Sequence, residues 1–223
     1  QGELAMLADG ELLLLEANGS VRLRVAVGSA HPGPPCAADF DGDGAMELAW
    51  ASEGTLQVVE LDGTLIWSQA VQDASGLAGC SGYDVDGDGA YEIFYADEQA
   101  LWIFRGNDGA IYTRQEGHAS GTVFEYPAIA DVDADGSAEI HIASNSADET
   151  GWQGVTLFGH VGDRWARSGP GWPVHDFAVT NVTSSGEVPP APRPPWLAHG
   201  VYRARPVIDD DGADLAVEVV DWC

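Results

Sequence analysis

Three acidic loops of a single form, DxDxDGxxE, stand in register along this chain and restrict its fold more than any other feature. They read DFDGDGAME from Asp39, DVDGDGAYE from Asp84 and DVDADGSAE from Asp131, so the unit recurs after 45 and then 47 residues. Each loop opens an alternating apolar segment, then a second, a tight turn and a third. In the first copy these are Glu47 to Ala51, Thr55 to Leu61, Asp62-Gly63 and Thr64 to Ala70; in the second, Glu92 to Tyr95, Ala100 to Arg105, Asn107-Asp108-Gly109 and Ala110 to Arg114. Asp-Gly between β-branched and aromatic runs is a hairpin signal, because glycine takes positive φ at no steric cost. A short stretch ahead of each loop, such as Tyr126 to Ala130, reads as a further strand. One repeat is therefore a four-stranded antiparallel unit whose acidic loop joins its first two strands.

A four-stranded unit of 40 to 50 residues cannot bury both faces alone, and stacking such units on one another is the propeller solution. The expected fold is all-β, a propeller-like array that is incomplete or is completed by the C-terminal strand or a neighbouring subunit. Residues 1–30 form a partial blade, with Glu3 to Ala8 matching the segment that follows a loop. Residues 31–75, 76–120 and 121–167 form three full blades. From 168 to 205 the pattern breaks into proline-rich sequence that predicts an insertion or linker on the surface. Residues 206–223 contain Asp209, Asp211 and Asp214, either an imperfect fourth repeat or the start of a following β domain.

Calcium wants six to eight oxygen ligands, and a tightly curled chain offers alternate side chains, one carbonyl and a closing acid. The ligand sets predicted are Asp39, Asp41, Asp43, the Ala45 carbonyl and Glu47; Asp84, Asp86, Asp88, Ala90 and Glu92; and Asp131, Asp133, Asp135, Ser137 and Glu139. That makes about three Ca2+ ions. Glycine at the sixth position (Gly44, Gly89, Gly136) lets the backbone turn where a Cβ is expected to clash. Unlike an EF-hand, the closing acid falls at position 9 and begins a strand.

These loops and their spacing resemble the FG-GAP, or VCBS-type, repeats of integrin-α-like β-propellers, over roughly residues 3 to 167. The resemblance implies loops that bind calcium structurally and a protein that is extracellular and engaged in adhesion, carbohydrate binding or surface assembly. The copy number departs from the family's usual seven-bladed ring. Residues 62–67, Asp-Gly-Thr-Leu-Ile-Trp, also resemble quinoprotein repeats, but nothing else supports a quinone.

Composition narrows the partners. Asp and Glu number 36 against 9 basic residues, all Arg, for a net charge of −27. That charge repels nucleic acid and anionic membranes. The longest apolar run, Leu12 to Leu15, is far short of a membrane-spanning helix. The chain begins at Gln1 with no charged-then-apolar leader, as in a processed chain or a fragment. Cys36 and Cys80 lie just ahead of the first two loops, where adjacent repeats bring them close; a disulfide between them and two buried thiols both remain open, and Cys223 is left over.

No catalytic residue emerges. The six histidines lack zinc-site spacing and suit surface or turn positions; no nucleophile elbow or phosphate loop is present. Trp50, Trp67 and Trp102 sit in predicted strands as core residues, whereas Trp172 and Trp196 suit an exposed sugar contact. The sequence thus predicts a calcium-binding structural or adhesive module, secreted or on the cell surface, that is not an enzyme. Its partners are copies of itself in a head-to-tail fibre, another surface protein or a glycan. The alternatives are a lectin-like propeller and a polysaccharide-active enzyme on the same scaffold.

Overall fold

The computed structural model describes residues 3–27, 31–145, 151–183, 185–195 and 199–207. Its strands fall into four sheets set in chain order. The first holds β1 (Glu3–Ala8), β2 (Glu11–Glu16) and β3 (Val21–Ala26), and the second β4 (Cys36–Ala38), β5 (Glu47–Ser52), β6 (Thr55–Val59) and β7 (Leu65–Ala70). The third holds β8 (Cys80–Tyr83), β9 (Glu92–Ala96), β10 (Ala100–Phe104) and β11 (Ile111–Glu116), and the fourth β12 (Ala128–Ala130), β13 (Glu139–Ser144) and β14 (Gly154–Phe158). Within each sheet these strands run antiparallel in sequence order. The architecture is the all-β, propeller-like array that the repeat demands.

The hairpins repeat in detail. In the first three sheets the register slips by one residue beside the last turn, at Leu14/Leu15, Val58/Val59 and Ile103/Phe104. Each slip is a bulge next to a glycine turn, which sharpens local twist. The glycine is needed twice over at Gly109. Its φ is +70°, and a Cβ there would lie 2.6 Å from the Trp67 ring of the preceding sheet. Gly63 meets Val25 in the same way, at 2.5 Å. Trp67 then donates its indole N–H to the Gly106 carbonyl at 2.5 Å, which fixes sheet two against the turn of sheet three.

Three cores lie between consecutive sheets. Leu12, Leu14, Leu48, Trp50 and Val59 fill the space between the first and second. Phe40, Leu56, Val58, Ile93, Tyr95 and Phe104 fill the next, and Tyr83, Phe94, Ile103, Ile129, Ile140 and Ile142 the last. Strands in the middle sheets are buried on both faces, as in β5 and β9. That is why their sequences, ELAWAS and EIFYA, run nearly continuously apolar where a half-buried strand would alternate. Trp50 and Trp67 are core residues as expected, and Trp102 is half-buried, stacked on Phe104 at 5.4 Å.

A Cys36–Cys80 disulfide, with Cα atoms 5.5 Å apart, joins β4 to β8, the first strands of the second and third sheets. It settles the alternative left open by the sequence.

Two expectations need correcting. After β14 no fourth strand forms among the described residues; the chain turns back instead, and Ala166 N–H reaches the Val85 carbonyl at 2.9 Å. The segment 168–205, expected on the surface, keeps its proline-rich middle there but packs inward at both ends: Ser168, Phe177, Ala178, Arg203, Ala204 and Arg205 are buried, and Val188 is exposed. Its end forms β15 (Ala204–Arg205), which pairs in parallel with β8, while Tyr202 and Ala37 exchange two backbone hydrogen bonds of 2.9 Å. Proline excludes regular strands here but leaves carbonyls free to accept from the sheets. Trp196, Asp209, Asp211, Asp214 and Cys223 lie outside the described residues.

Candidate metal centre

The three acidic loops join β4 to β5, β8 to β9 and β12 to β13. In each, the first aspartate organises the backbone. Asp39 accepts the N–H groups of Gly42 at 2.7 Å and Gly44 at 2.9 Å, and Asp84 those of Gly87, Asp88 and Gly89 at 2.7, 3.1 and 3.0 Å. These are Asx-type turns that curl the chain around its own carboxylates. The closing glutamate reaches back across the curl: Glu47 accepts from Phe40 at 2.6 Å, Glu92 from Val85 at 2.9 Å and Glu139 from Val132 at 2.9 Å. One Oε2 is consumed in every case, always on the second residue of the loop.

Ligand atoms of Asp39, Asp41, Asp43 and Glu47 lie within 4.8 Å of one another, as do those of Asp84, Asp86 and Glu92, and of Asp131, Asp133 and Glu139. Asp88 and Asp135 stand outside these clusters, their Oδ1 atoms accepting from Ala90 at 2.9 Å and Ser137 at 2.8 Å. Two oxygens on opposite sides of a calcium ion are separated by roughly 4.6 to 5.2 Å, twice the Ca–O distance. The clusters have that dimension. Glu47 Oε1 and Asp131 Oδ1 are moreover buried with no hydrogen-bond partner, which costs energy unless a cation is supplied. The residues therefore fit a hard divalent cation, whose chemistry here is to cancel repulsion and lock the turn. Asp39, Asp41, Asp43 and Glu47 would hold it in the first loop, and the two triads in the others.

The electrostatics agree. Burial pushes Glu92 up to about 8 and Glu47 up to about 7, with neighbouring aspartates adding to the shift and backbone donors opposing it. Burial also raises Glu139. Carboxyls held so far above their ordinary range are waiting for a positive charge, from either protons or a metal.

Glycine at position six has φ of +90°, +97° and +92° in the three loops, yet a Cβ there would meet nothing within 4 Å. The requirement is the left-handed backbone and not the clash expected from sequence. Position four is left-handed as well, at +78° in Gly42, +75° in Gly87 and +61° in Ala134.

Two features escaped the sequence. His118, expected on the surface, is buried with Nδ1 2.9 Å from Ser144 Oγ. Trp172, expected as an exposed contact, is half-buried and stacked on Phe177 at 4.1 Å. His118 meets a partner 26 residues away, and Trp172 packs on distant Tyr126 as well as on Phe177, so neither contact leaves a local pattern.

Residues 84–142, from the start of the second loop to the strand after the third, match the model of an FG-GAP-like repeat. That stretch holds the second and third acidic loops and the strands between them. Among solved structures, these repeats are similar to the Vibrio cholerae biofilm matrix protein Bap1, at 25% identity and a TM-score of 0.65. The match covers 73% of this chain and 28% of that one, so the chain spans just over a quarter of the Bap1 chain. BamB from Moraxella catarrhalis matches at 14% identity and a TM-score of 0.49, over 74% of this chain and 47% of that one. A rhamnogalacturonan lyase from Bacillus licheniformis matches at 15% and 0.41, over 70% and 41%. No curated protein matches the sequence significantly. No helix among the described residues is long and apolar enough to cross a membrane.

Proposed function

We propose that this FG-GAP-type chain is a calcium-stabilised structural and adhesive module of a secreted or cell-surface protein. One observation carries the reading. Three successive sheets each join their first two strands through a cluster of carboxylates of calcium-site dimension, closed by a glutamate that bonds back to the second residue of its loop. An ion in each cluster would pin the inner strands together without any reaction, so the ligands serve stability and spacing. The similarity to a biofilm matrix protein supports an extracellular setting. Among the described residues β3, β7, β11 and β14 each end their sheet, and such edges support partners that add strands, including further copies of the chain.

Isothermal titration of calcium into chelator-stripped protein, with thermal unfolding alongside, tests the reading. A stoichiometry near three and a large rise in Tm are expected. Absence of binding would overturn it. Sedimentation with and without calcium reads the assembly half separately, and a monomer in both would remove self-association.

A further inference from the structure

A cluster of aromatic and charged side chains lies outside the acidic loops, where the 120–126 turn meets the returning C-terminal segment. Thr122 and Phe124 both have left-handed backbones, φ +49° and +58°, although neither is glycine and threonine is β-branched. Such conformations persist only where the surroundings hold them, and they concentrate at functional positions. The turn displays Val123 and Phe124, 52% and 64% exposed. His175 holds it from behind, with Nε2 3.3 Å from the Phe124 carbonyl.

Beside this turn is a set of rings with a carboxylate among them. Tyr126 packs edge-on to His175 at 5.0 Å and tilted to Trp172 at 6.0 Å. The Arg203 guanidinium, buried beneath, lies over the rings of both Tyr126 and Tyr202, at 4.8 and 5.7 Å. It donates to Oδ1 of Asp176 at 3.1 Å, and Tyr202 Oη donates to the same oxygen at 3.3 Å. His175 Nδ1 lies 3.5 Å from that oxygen too. The Asp176 side chain is 72% exposed, and every one of these contacts falls on Oδ1. Arg203 Nε and Nη1, meanwhile, are buried without partners.

We propose that Phe124, Tyr126, Tyr202 and the Arg203-held carboxylate of Asp176 form a contact site for a neutral polysaccharide. Sugar rings present C–H faces that settle on the negative faces of aromatic rings, and hydroxyls that donate to a fixed carboxylate. Charge selects among ligands. An anionic polymer is repelled by a chain of net charge −27. A cationic ligand is drawn by the whole chain's negative charge and so does not single out this patch, where Arg203 already pairs with Asp176. A stable protein interface needs about 800 Å² per partner with a desolvated apolar centre; here two exposed apolar side chains sit beside exposed His175 and Asp176, the scale of a few sugar units. The proposal deepens the adhesive reading above and rests on it, but uses none of the calcium ligands.

Affinity electrophoresis in native gels cast with dextran, galactomannan, mixed-linkage β-glucan or the polyanion hyaluronan, with calcium saturating, tests it. Retardation by at least one neutral polymer and none by hyaluronan is expected. Phe124→Ala should weaken that retardation about tenfold, Phe124→Trp should retain it, and all variants should keep the parent Tm. Asp176→Asn should weaken it as well. The proposal is overturned if no neutral polymer retards the protein, or if Phe124→Ala and Asp176→Asn migrate like the parent. It is equally overturned if no polymer acts and Phe124→Ala instead abolishes a concentration-dependent dimer, which assigns the patch to a second copy. Polymer retention without calcium binding would remove the metal reading alone, so the two failures are separable.

Discussion

The carboxylate of Glu47 accepts the backbone N–H of Phe40 at 2.6 Å, across the six residues of the acidic loop between them. Its other oxygen is buried with no partner. One side chain therefore closes the turn and also presents the unsatisfied charge that a cation would neutralise. Glu47→Gln keeps an oxygen for Phe40 but removes the charge. Titration should then show one calcium fewer per chain, and the calcium-induced rise in Tm should shrink by about a third if the three sites contribute alike. An unchanged stoichiometry would remove Glu47 from the ligand set.

Glu47 and Glu92 give the calcium-free protein an inverted pH dependence. Burial raises their folded-state values from 4.5 to about 7 and about 8. Between those limits the folded state binds protons that the unfolded state has released, so stability falls as pH rises. The contribution is fully present below 4.5 and is lost as pH climbs through 7 to 8. In chelator, the urea midpoint should therefore be higher at pH 5.5 than at pH 8. Saturating calcium should reverse the order, since protons then compete with the metal. A chelated protein more stable at pH 8 would show that these glutamates do not govern the loops.

The Cys36–Cys80 bridge closes a separation of 44 residues and staples the inner strands of two sheets just ahead of their acidic loops. Replacing both cysteines by serine should cost about 2 to 4 kcal/mol, read from denaturant unfolding with calcium held constant. Phe40 and Tyr95 in the same core remain to hold the interface, so the fold should persist.

Much of this was legible because the repeat states its own register. The strand Glu3–Ala8 has the limits expected from alignment to the segment after a loop, and the hairpins around Gly63 and Gly109 stand where Asp-Gly placed them. The three clusters were legible for the same reason, although alternation alone did not show that Asp88 and Asp135 would stand outside them while Asp43, with the same bond to its own backbone, stands inside. What stayed hidden is non-local. The parallel pairing of Ala204 with Gly82 spans two residues of strand and carries no periodicity. Asp176 and Arg203 meet only because proline-rich chain folds back across the sheets.

Ala134 offers a gain in stability. It stands left-handed at φ +61° where the other two loops use glycine, and Asp131 Oδ1 beside it lacks the hydrogen bond that Gly42 and Gly87 give their aspartates. An alanine there costs roughly 1 to 2 kcal/mol of strain, partly offset by the freedom glycine loses on folding. Ala134→Gly should thus stabilise the calcium-free protein by about 0.5 to 1 kcal/mol, measured by denaturant midpoint at constant slope.

Gly109 gives the reverse case, because both its backbone and its surroundings reject a side chain. Its φ is +70°, and a Cβ would stand 2.6 Å from two carbons of the Trp67 ring, which is itself anchored through its indole N–H to Gly106. Gly109→Ala must therefore both strain the turn and displace Trp67 from the core between the second and third sheets, costing about 2 to 4 kcal/mol. Gly44→Ala, at φ +90° with open space around it, should cost only the strain, about 1 to 2 kcal/mol. Tryptophan fluorescence during denaturation separates the two effects: the Gly109 variant should shift native emission, and the Gly44 variant should not. Equal costs with no spectral change would mean that Trp67 does not bear on the turn.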